Sequence, residues 1–423
     1  MTTAVATPTR RTLPAPATFV LLTSIVLFFL AGSSAPTPLY ARYAADWGFT
    51  ASTTTVVFGV YAVAVLASLL VGGRLSDHVG RRPVLLAGVA GQLVAMVVFT
   101  TAAGVPELLA ARVLQGLATG AAAAAVGAAL VDVSARHGAL TNAVAAPLGT
   151  ATGSIGAALL VAHLPQPTHL VYDLLAAVFV VQGIGVLLMA ETVAARPGAR
   201  ASLRPTISAP AAARRALTVA VPALLAGWSI AGLYGALGPA IVRELTHSTS
   251  AVAGGASLAV VAGTAGLAVY VLRAVDPRRT LAVVLPLMAV GIAITLVGVE
   301  AASEAVFFAG SVVAGATFGG VFSASIRATL PLAAAHERAG VLSLVYVASY
   351  VGLGIPAIVA GYLVVHGSGL RETVVEYGAA VVVLAAGAFV ALVRAGRPAG
   401  AGADAEPFDD RLPARPAVER AAV

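Results

Sequence analysis

The sequence contains no cysteine and no lysine. The first absence excludes disulfides, thiolate metal sites and thiol catalysis together. The second removes the lysine of an ATP-binding phosphate loop, and no G-x-x-x-x-G-K-[ST] pattern occurs. Charge is scarce as well: 10% of the 423 residues are charged, against about 25% in a soluble domain. Seven histidines are scattered without an H-E-x-x-H pair, so neither a metal nor a cofactor is expected. Clustered His, Asp and Glu, or a Ser–Lys pair at membrane depth, would mark a membrane-embedded enzyme; with neither present, no catalytic residue is assigned.

What is there is apolar. Hydrophobic residues make up 59% of the chain, and mean hydropathy is +0.95. The 44 glycines and 23 prolines would weaken soluble helices but are frequent in transmembrane ones. A soluble enzyme and a nucleic-acid binder are thereby excluded, and a polytopic membrane protein is expected.

A spanning helix needs about 20 mostly apolar residues, with a range near 17–25. Stretches at least that long without Asp, Glu, Lys or Arg are 12–41, 47–73, 83–106, 113–131, 137–172, 174–190, 216–242, 245–272, 280–299, 305–326, 339–370 and 377–393. They predict twelve spans, with HLPQPTH at His163–His169 breaking the fifth stretch into a helix and an outer loop. The fold class is all-α, twelve transmembrane helices in two six-helix bundles. With the N-terminus inside, 20 of the 25 arginines fall in cytoplasmic segments, as the positive-inside rule demands. The net charge of +7 is thus topogenic, and both termini are expected on the cytoplasmic side of the cell membrane. Arg10-Arg11 before an apolar run could also open a signal peptide, but the run exceeds a usual h-region and cleavage would leave an odd number of spans.

The segment 191–215 is rich in Ala, Pro, Ser and Arg without helical periodicity and reads as a flexible cytoplasmic linker. It separates an N-terminal bundle, 1–190, from a C-terminal bundle, 216–393. The tail 394–423 has the composition of a disordered segment. Spans four and ten are both Gly-rich and followed by short polar loops, the weak internal symmetry of a transporter with a midplane site.

Between spans two and three lies Gly73-Arg74-Leu75-Ser76-Asp77-His78-Val79-Gly80-Arg81-Arg82-Pro83. Gly73 would allow close helix approach, Asp77 sits at the end of span two, Gly80 permits a tight turn, and Arg81 can reach a carboxylate or a helix C-terminus. The segment resembles the hallmark loop of the major facilitator superfamily, G-x-L-x-D-x-x-G-R-R/K-P. The resemblance implies the twelve-span fold and a conformational charge cluster in which Asp77, Arg81 and Arg82 join an acid on span four, here Asp132, to lock an outward-open state. His78 stands where many relatives carry Arg; it is read either as a pH sensor or as a tolerated substitution.

In span four, Arg112-Val113-Leu114-Gln115-Gly116-Leu117-Ala118-Thr119-Gly120 is similar to the R-x-x-Q-G-x-x-x-G pattern of drug/proton antiporters within that superfamily. Arg112, Gln115 and Thr119 share a helical face and are candidates for coupling or substrate contact; the alternative is that Arg112 snorkels to the outer interface. In span five the G-P-x-x-G-G signature of those antiporters is reduced to Ala146-Pro147-Leu148-Gly149 with Gly153 and Gly156. Its Pro and small face remain.

A substrate cavity at the midplane should be mostly apolar and aromatic with a few polar groups. Candidates are Tyr40, Phe58, Tyr61, Trp228, Tyr234, Phe318, Phe322, Tyr346 and Tyr350, with Arg327 read either as cavity-lining or as an anchor. The pair Tyr346 and Tyr350, with Ser349 and Pro356, marks span eleven. The centres of spans one, two, seven and eleven contain no acid, which counts against a cation-selective pocket. The expected function is a monomeric secondary transporter exporting small drug-like or amphipathic molecules in exchange for protons. The alternatives are an importer or facilitator of a neutral or anionic metabolite, and a non-transporting receptor or assembly factor.

Overall fold

The computed structural model describes residues 12–396 except 248, 249, 335 and 368. Arg10, Arg11 and the tail beyond 396 lie outside the described residues. Twelve helices are long and apolar enough to cross a membrane, and no strand occurs among the described residues. Lipid offers the backbone no hydrogen-bond partners, so helices that satisfy their own peptide groups are what such apolar stretches form. Spans one to six cover Ala15–Trp47, Ala51–Gly72, Arg81–Thr100, Val105–Val133, Gly138–His163 and Pro167–Leu188. Spans seven to twelve cover Ala211–Ala236, Ala251–Ala274, Pro277–Glu300, Glu304–Leu332, Arg338–His366 and Leu370–Arg394.

Several helices are longer than the charge-free stretches predict. Arg112 and Asp132 lie inside span four, and Asp173 lies inside span six rather than at its start. A charged residue near a helix end can reach out of the apolar layer, so a charge does not end a helix. Proline shapes the spans instead. Pro36 and Pro38 interrupt span one, where the helix Ala15–Ser34 gives way to a 3-10 turn Thr37–Leu39 and a second helix Tyr40–Trp47. Pro147, Pro222, Pro286 and Pro356 sit within spans five, seven, nine and eleven.

The first six spans pack around Leu22, Phe29, Leu85, Met96, Phe99 and Phe179. The last six pack around Leu233, Leu285, Met288, Phe307 and Val381. Within each bundle small residues bring backbones together. A side chain at Gly116 would meet the carbonyl of Tyr61 at 2.7 Å, and one at Gly291 would meet the Ala314 amide at 2.9 Å.

The connections 72–81, 133–138, 188–211, 274–277 and 332–338 share one face, here the arginine-rich face; the other connections form the far face. Spans two and eleven pack against each other, as do five and eight. Among the described residues, the hydrogen bonds joining the bundles lie in the far half. Thr37 donates to the Gly235 carbonyl at 3.5 Å and Ser154 to the Gly255 carbonyl at 2.9 Å. Glycine makes these approaches possible: the Phe58 ring packs on Gly235 at 2.7 Å from where its Cβ would be, and Thr55 fills the same place at Gly361.

The linker is less free than its composition implies. It holds a one-turn helix, Ala199–Ser202. Arg196 N–H donates to the His78 carbonyl at 2.7 Å, and the His78 ring nitrogen Nδ1 donates to the Pro197 carbonyl at 3.0 Å. Further on, Ser208 N–H donates to the Gly340 carbonyl at 3.3 Å. The segment is tied to a loop of each bundle.

Candidate functional site

Three groupings collect the residues singled out above. The first is on the arginine-rich face. Arg81, 8% exposed, donates to Asp77, to Ser76 Oγ at 2.7 Å and to Asp132 at 3.2 Å. One guanidinium thus joins the short helix Ser76–Val79 after span two, the start of span three and the end of span four. Gly80 has φ +100°, a backbone that a side chain strains, and this turn aims the start of span three at Glu191. The Glu191 carboxylate accepts the backbone N–H groups of Arg81 and Arg82 at 2.8 and 2.9 Å, taking up two of the donors a helix start leaves free. Thr192 adds a bond to Asp132 at 2.9 Å. Arg82 points away and donates to the Leu187 carbonyl at the end of span six. Gly73 is not at a helix crossing, contrary to expectation. Only Leu69 of its own helix approaches its Cβ position, because the chain is already leaving the bundle there.

The second grouping is inside the first bundle. Arg112 is 0% exposed, which overturns snorkelling. Its guanidinium donates to the Tyr40 hydroxyl, to the Ser33 carbonyl at 2.8 Å and to Gln115 Oε1 at 2.7 Å. The rings of Tyr40, Tyr61 and Phe99 surround it at 5.2–5.9 Å, close enough for cation–π attraction. No carboxylate among the described residues touches it. Gln115 continues to the Gly32 carbonyl at 2.9 Å, and Thr119 accepts from Gln92 at 2.8 Å. The break at Pro36 makes this possible, since it frees carbonyls of span one to face span four. Tyr40 is therefore a partner of Arg112 and not a cavity wall. Gln92, Glu191 and Thr192 were not foreseen. The signals for the first two were a lone amide in the apolar run of span three and an acid closing span six.

The third grouping lies midway along the second bundle. Trp228 of span seven meets Phe318 and Phe322 of span ten edge-on, with ring centroids 5.5 Å apart in each case. Tyr350 of span eleven lies 5.3 Å away on the same ring. Tyr346 and Tyr350 in turn pack with Tyr61, Val65 and Leu69 of span two across the bundle boundary. All four rings of this cluster remain partly exposed.

Two further candidates fall elsewhere. Tyr234 is 1% exposed and bonds to Thr295 and Ser311 at 3.1 and 2.9 Å, so it belongs to the second core. Arg327 donates to the carbonyls of Leu272 and Val275 at 3.1 and 2.7 Å. It caps the end of span eight, where the helix dipole presents negative charge, and does not line a cavity. Phe58 closes the far end of the bundle boundary rather than its middle.

A family model described as Major Facilitator Superfamily matches residues 21–271, more than half of the chain. Among curated proteins, Multidrug resistance protein D of Escherichia coli (strain K12) is 36% identical over 103 residues, 24% of this chain and 26% of that protein. Multidrug resistance protein MdtL of Escherichia coli (strain K12 / DH10B) is 33% identical over 97 residues, 23% of this chain and 25% of that protein. The matches thus span about a quarter of the length of these relatives. Among solved structures, a POT family transporter in complex with 5-aminolevulinic acid superposes with a TM-score of 0.73 at 12% identity, covering 91% of this chain and 97% of that one. A variant of the nucleoside transporter NupG superposes with a TM-score of 0.67 at 12% identity, covering 89% and 99%. At such identity these likenesses describe the fold alone.

Proposed function

From its place in the major facilitator superfamily, to which this chain belongs, we propose that it is a secondary transporter that exports lipophilic, drug-like compounds by alternating access. The observation that carries this reading is the aromatic cluster of Trp228, Phe318, Phe322 and Tyr350 beside the bundle boundary. Ligand sites are concave and mostly apolar with few polar groups, and these rings remain partly exposed where the two bundles meet. The matches to multidrug resistance proteins support the same substrate class.

In this reading the arginine-rich face is cytoplasmic, in line with the positive-inside rule, and the membrane is the cell membrane. The bonds Thr37–Gly235 and Ser154–Gly255 then close the outer side, giving a state that loads from within. The Asp77–Arg81–Asp132 cluster is formed in this outer-closed state, against the expectation that it locks an outward-open one; in this reading it ties the loop after span two to spans three and four so that the first bundle moves as a unit.

We assign protons as the coupling ion, with Asp77 and Asp132 as the groups available to take them. Among the described residues no carboxylate occupies the middle of a span. That same fact favours a second reading, passage of a neutral or anionic compound without a proton. Purified protein in sealed liposomes containing a pH-sensitive dye separates the two. Proton movement on adding a lipophilic compound across an imposed gradient, lost in Asp77→Asn, is the expected result. Flux of labelled compound with a silent dye supports the second reading, and absence of both refutes transport of that class.

A further inference from the structure

The indole nitrogen of Trp228 is buried at the centre of the aromatic cluster and donates to no acceptor in the chain. An N–H is a donor only, and a buried donor without a partner costs free energy that a fold usually avoids. The neighbouring hydroxyls of Tyr346 and Tyr350 also form no hydrogen bond among the described residues. Three donor-capable groups are therefore left uncommitted along spans seven and eleven, with Tyr350 packed on Trp228 and Tyr346 one helical turn away.

The electrostatics point the same way. Behind Tyr61, which packs with Tyr346 and Tyr350, the Arg112 guanidinium lies 5.2 Å from the ring without a carboxylate beside it. It adds a fixed positive charge one ring away from the cluster, in a medium that screens charge poorly. The rings of Phe318 and Phe322 meet Trp228 edge to face and so are partly engaged with each other.

We propose that Trp228 is the specificity-determining donor of this site, and that the site takes flat aromatic compounds carrying a hydrogen-bond acceptor oxygen and no positive charge. The inference rests on the cluster being the transport site and names its substrate class. An acceptor oxygen takes the indole N–H, a tyrosine hydroxyl supplies a second bond, and the ring plane stacks in the cluster. A cation of equal size leaves the indole donor unpaired and meets the field of Arg112.

Three naphthalenes of similar size test this on the full-length protein in lipid nanodiscs, with binding read by equilibrium dialysis. They are 2-acetylnaphthalene, 2-ethylnaphthalene and a 2-naphthylmethyl trimethylammonium salt. The acetyl compound should bind tightest and the cation weakest. Trp228→Phe keeps a ring and removes the donor; it should weaken the acetyl compound about tenfold, the equivalent of 1.4 kcal/mol, and leave the ethyl compound unchanged. The chain has two tryptophans, so Trp47→Phe leaves Trp228 as the sole tryptophan, and its emission, excited beyond the tyrosine band, should shift on saturation with 2-acetylnaphthalene. Equal loss of the acetyl and ethyl compounds in Trp228→Phe would reduce Trp228 to packing and overturn the inference. Binding of the cation as tight as the acetyl compound, or an unmoved Trp228 emission, overturns it too. Those outcomes leave export itself standing. Failure of all three compounds to bind, together with absent liposome flux, brings down the transport reading as well.

Discussion

Arg112 has the most unusual surroundings of any single residue in this protein. A charge at membrane depth is costly and normally faces a cavity or a partner, yet here it is fully buried and no carboxylate among the described residues touches it. Its partners are neutral: the Tyr40 hydroxyl, the Ser33 carbonyl and Gln115, with three ring faces around them. The guanidinium serves as a fork that fixes span one to span four through several directed bonds. Lysine offers a point charge instead and cannot reach these acceptors together. Arg112→Lys should therefore destabilise the protein by about 2 kcal/mol, the scale of hydrogen bonds to a charged group. Thermal unfolding in detergent checks this, and an unchanged midpoint would mean the fork is dispensable. The identity of Arg112 was plain in the sequence. Its burial was not, because the acceptors come from a span some 70 residues away whose carbonyls are freed only by the break at Pro36.

At the scale of elements, helix ends organise the protein. Arg82 of span three donates to the Leu187 carbonyl ending span six, and Arg278 of span nine donates to the Leu392 carbonyl ending span twelve. These are corresponding positions of the two bundles, so the internal repeat extends to how helix ends are capped. Arg371 does the same for span nine and Arg327 for span eight. Each places a cation where unsatisfied carbonyls concentrate negative charge. Glu191 is the converse, an anion at the start of span three. Glu191→Ala should cost about 1 kcal/mol, as loss of a helix cap typically does. It should also raise amide exchange at Arg81 and Arg82, which mass spectrometry would resolve; unchanged exchange there would show that the cap is redundant. His78 bears on the same region. Its Nδ1–H donates to the Pro197 carbonyl and so ties the linker to the loop after span two.

For the whole molecule, the question is how the bundles meet. The far half is closed through glycines, with Phe58 on Gly235, Thr55 on Gly361 and Ser154 near Gly255. A side chain at Gly361 has no room because Thr55 already occupies it. Gly361→Val should thus push spans two and eleven apart at the far face and bias the protein towards opening there. The chain has no cysteine, so a single Thr37→Cys can be labelled without background. It should resist a membrane-impermeant maleimide from the far face in the parent and react at least several-fold faster with Gly361→Val added. Equal labelling in both would show that this contact does not hold the far half closed.

The sequence by itself determined the twelve spans, because charges are too rare among these residues to be overlooked and lipid leaves the backbone no alternative to helix. It also placed Asp77, Gly80 and Arg81 together in one loop, because they are neighbours a few positions apart. Which side chains face one another was left to the tertiary structure. Outside span four, with its Arg112–Gln115–Thr119 face, the spans are largely apolar all round, so little in the sequence distinguishes a face turned to lipid from one turned to the bundle boundary. Tyr234 and Tyr350 are alike in sequence context, yet one is locked in a core by Ser311 and Thr295 while the other stands free beside Trp228. Arg112 and Arg327 are separated in the same way, one buried among rings and the other capping a helix. Partners for each come from other helices, and only packing, through the glycines that let those helices close, decides which ones arrive.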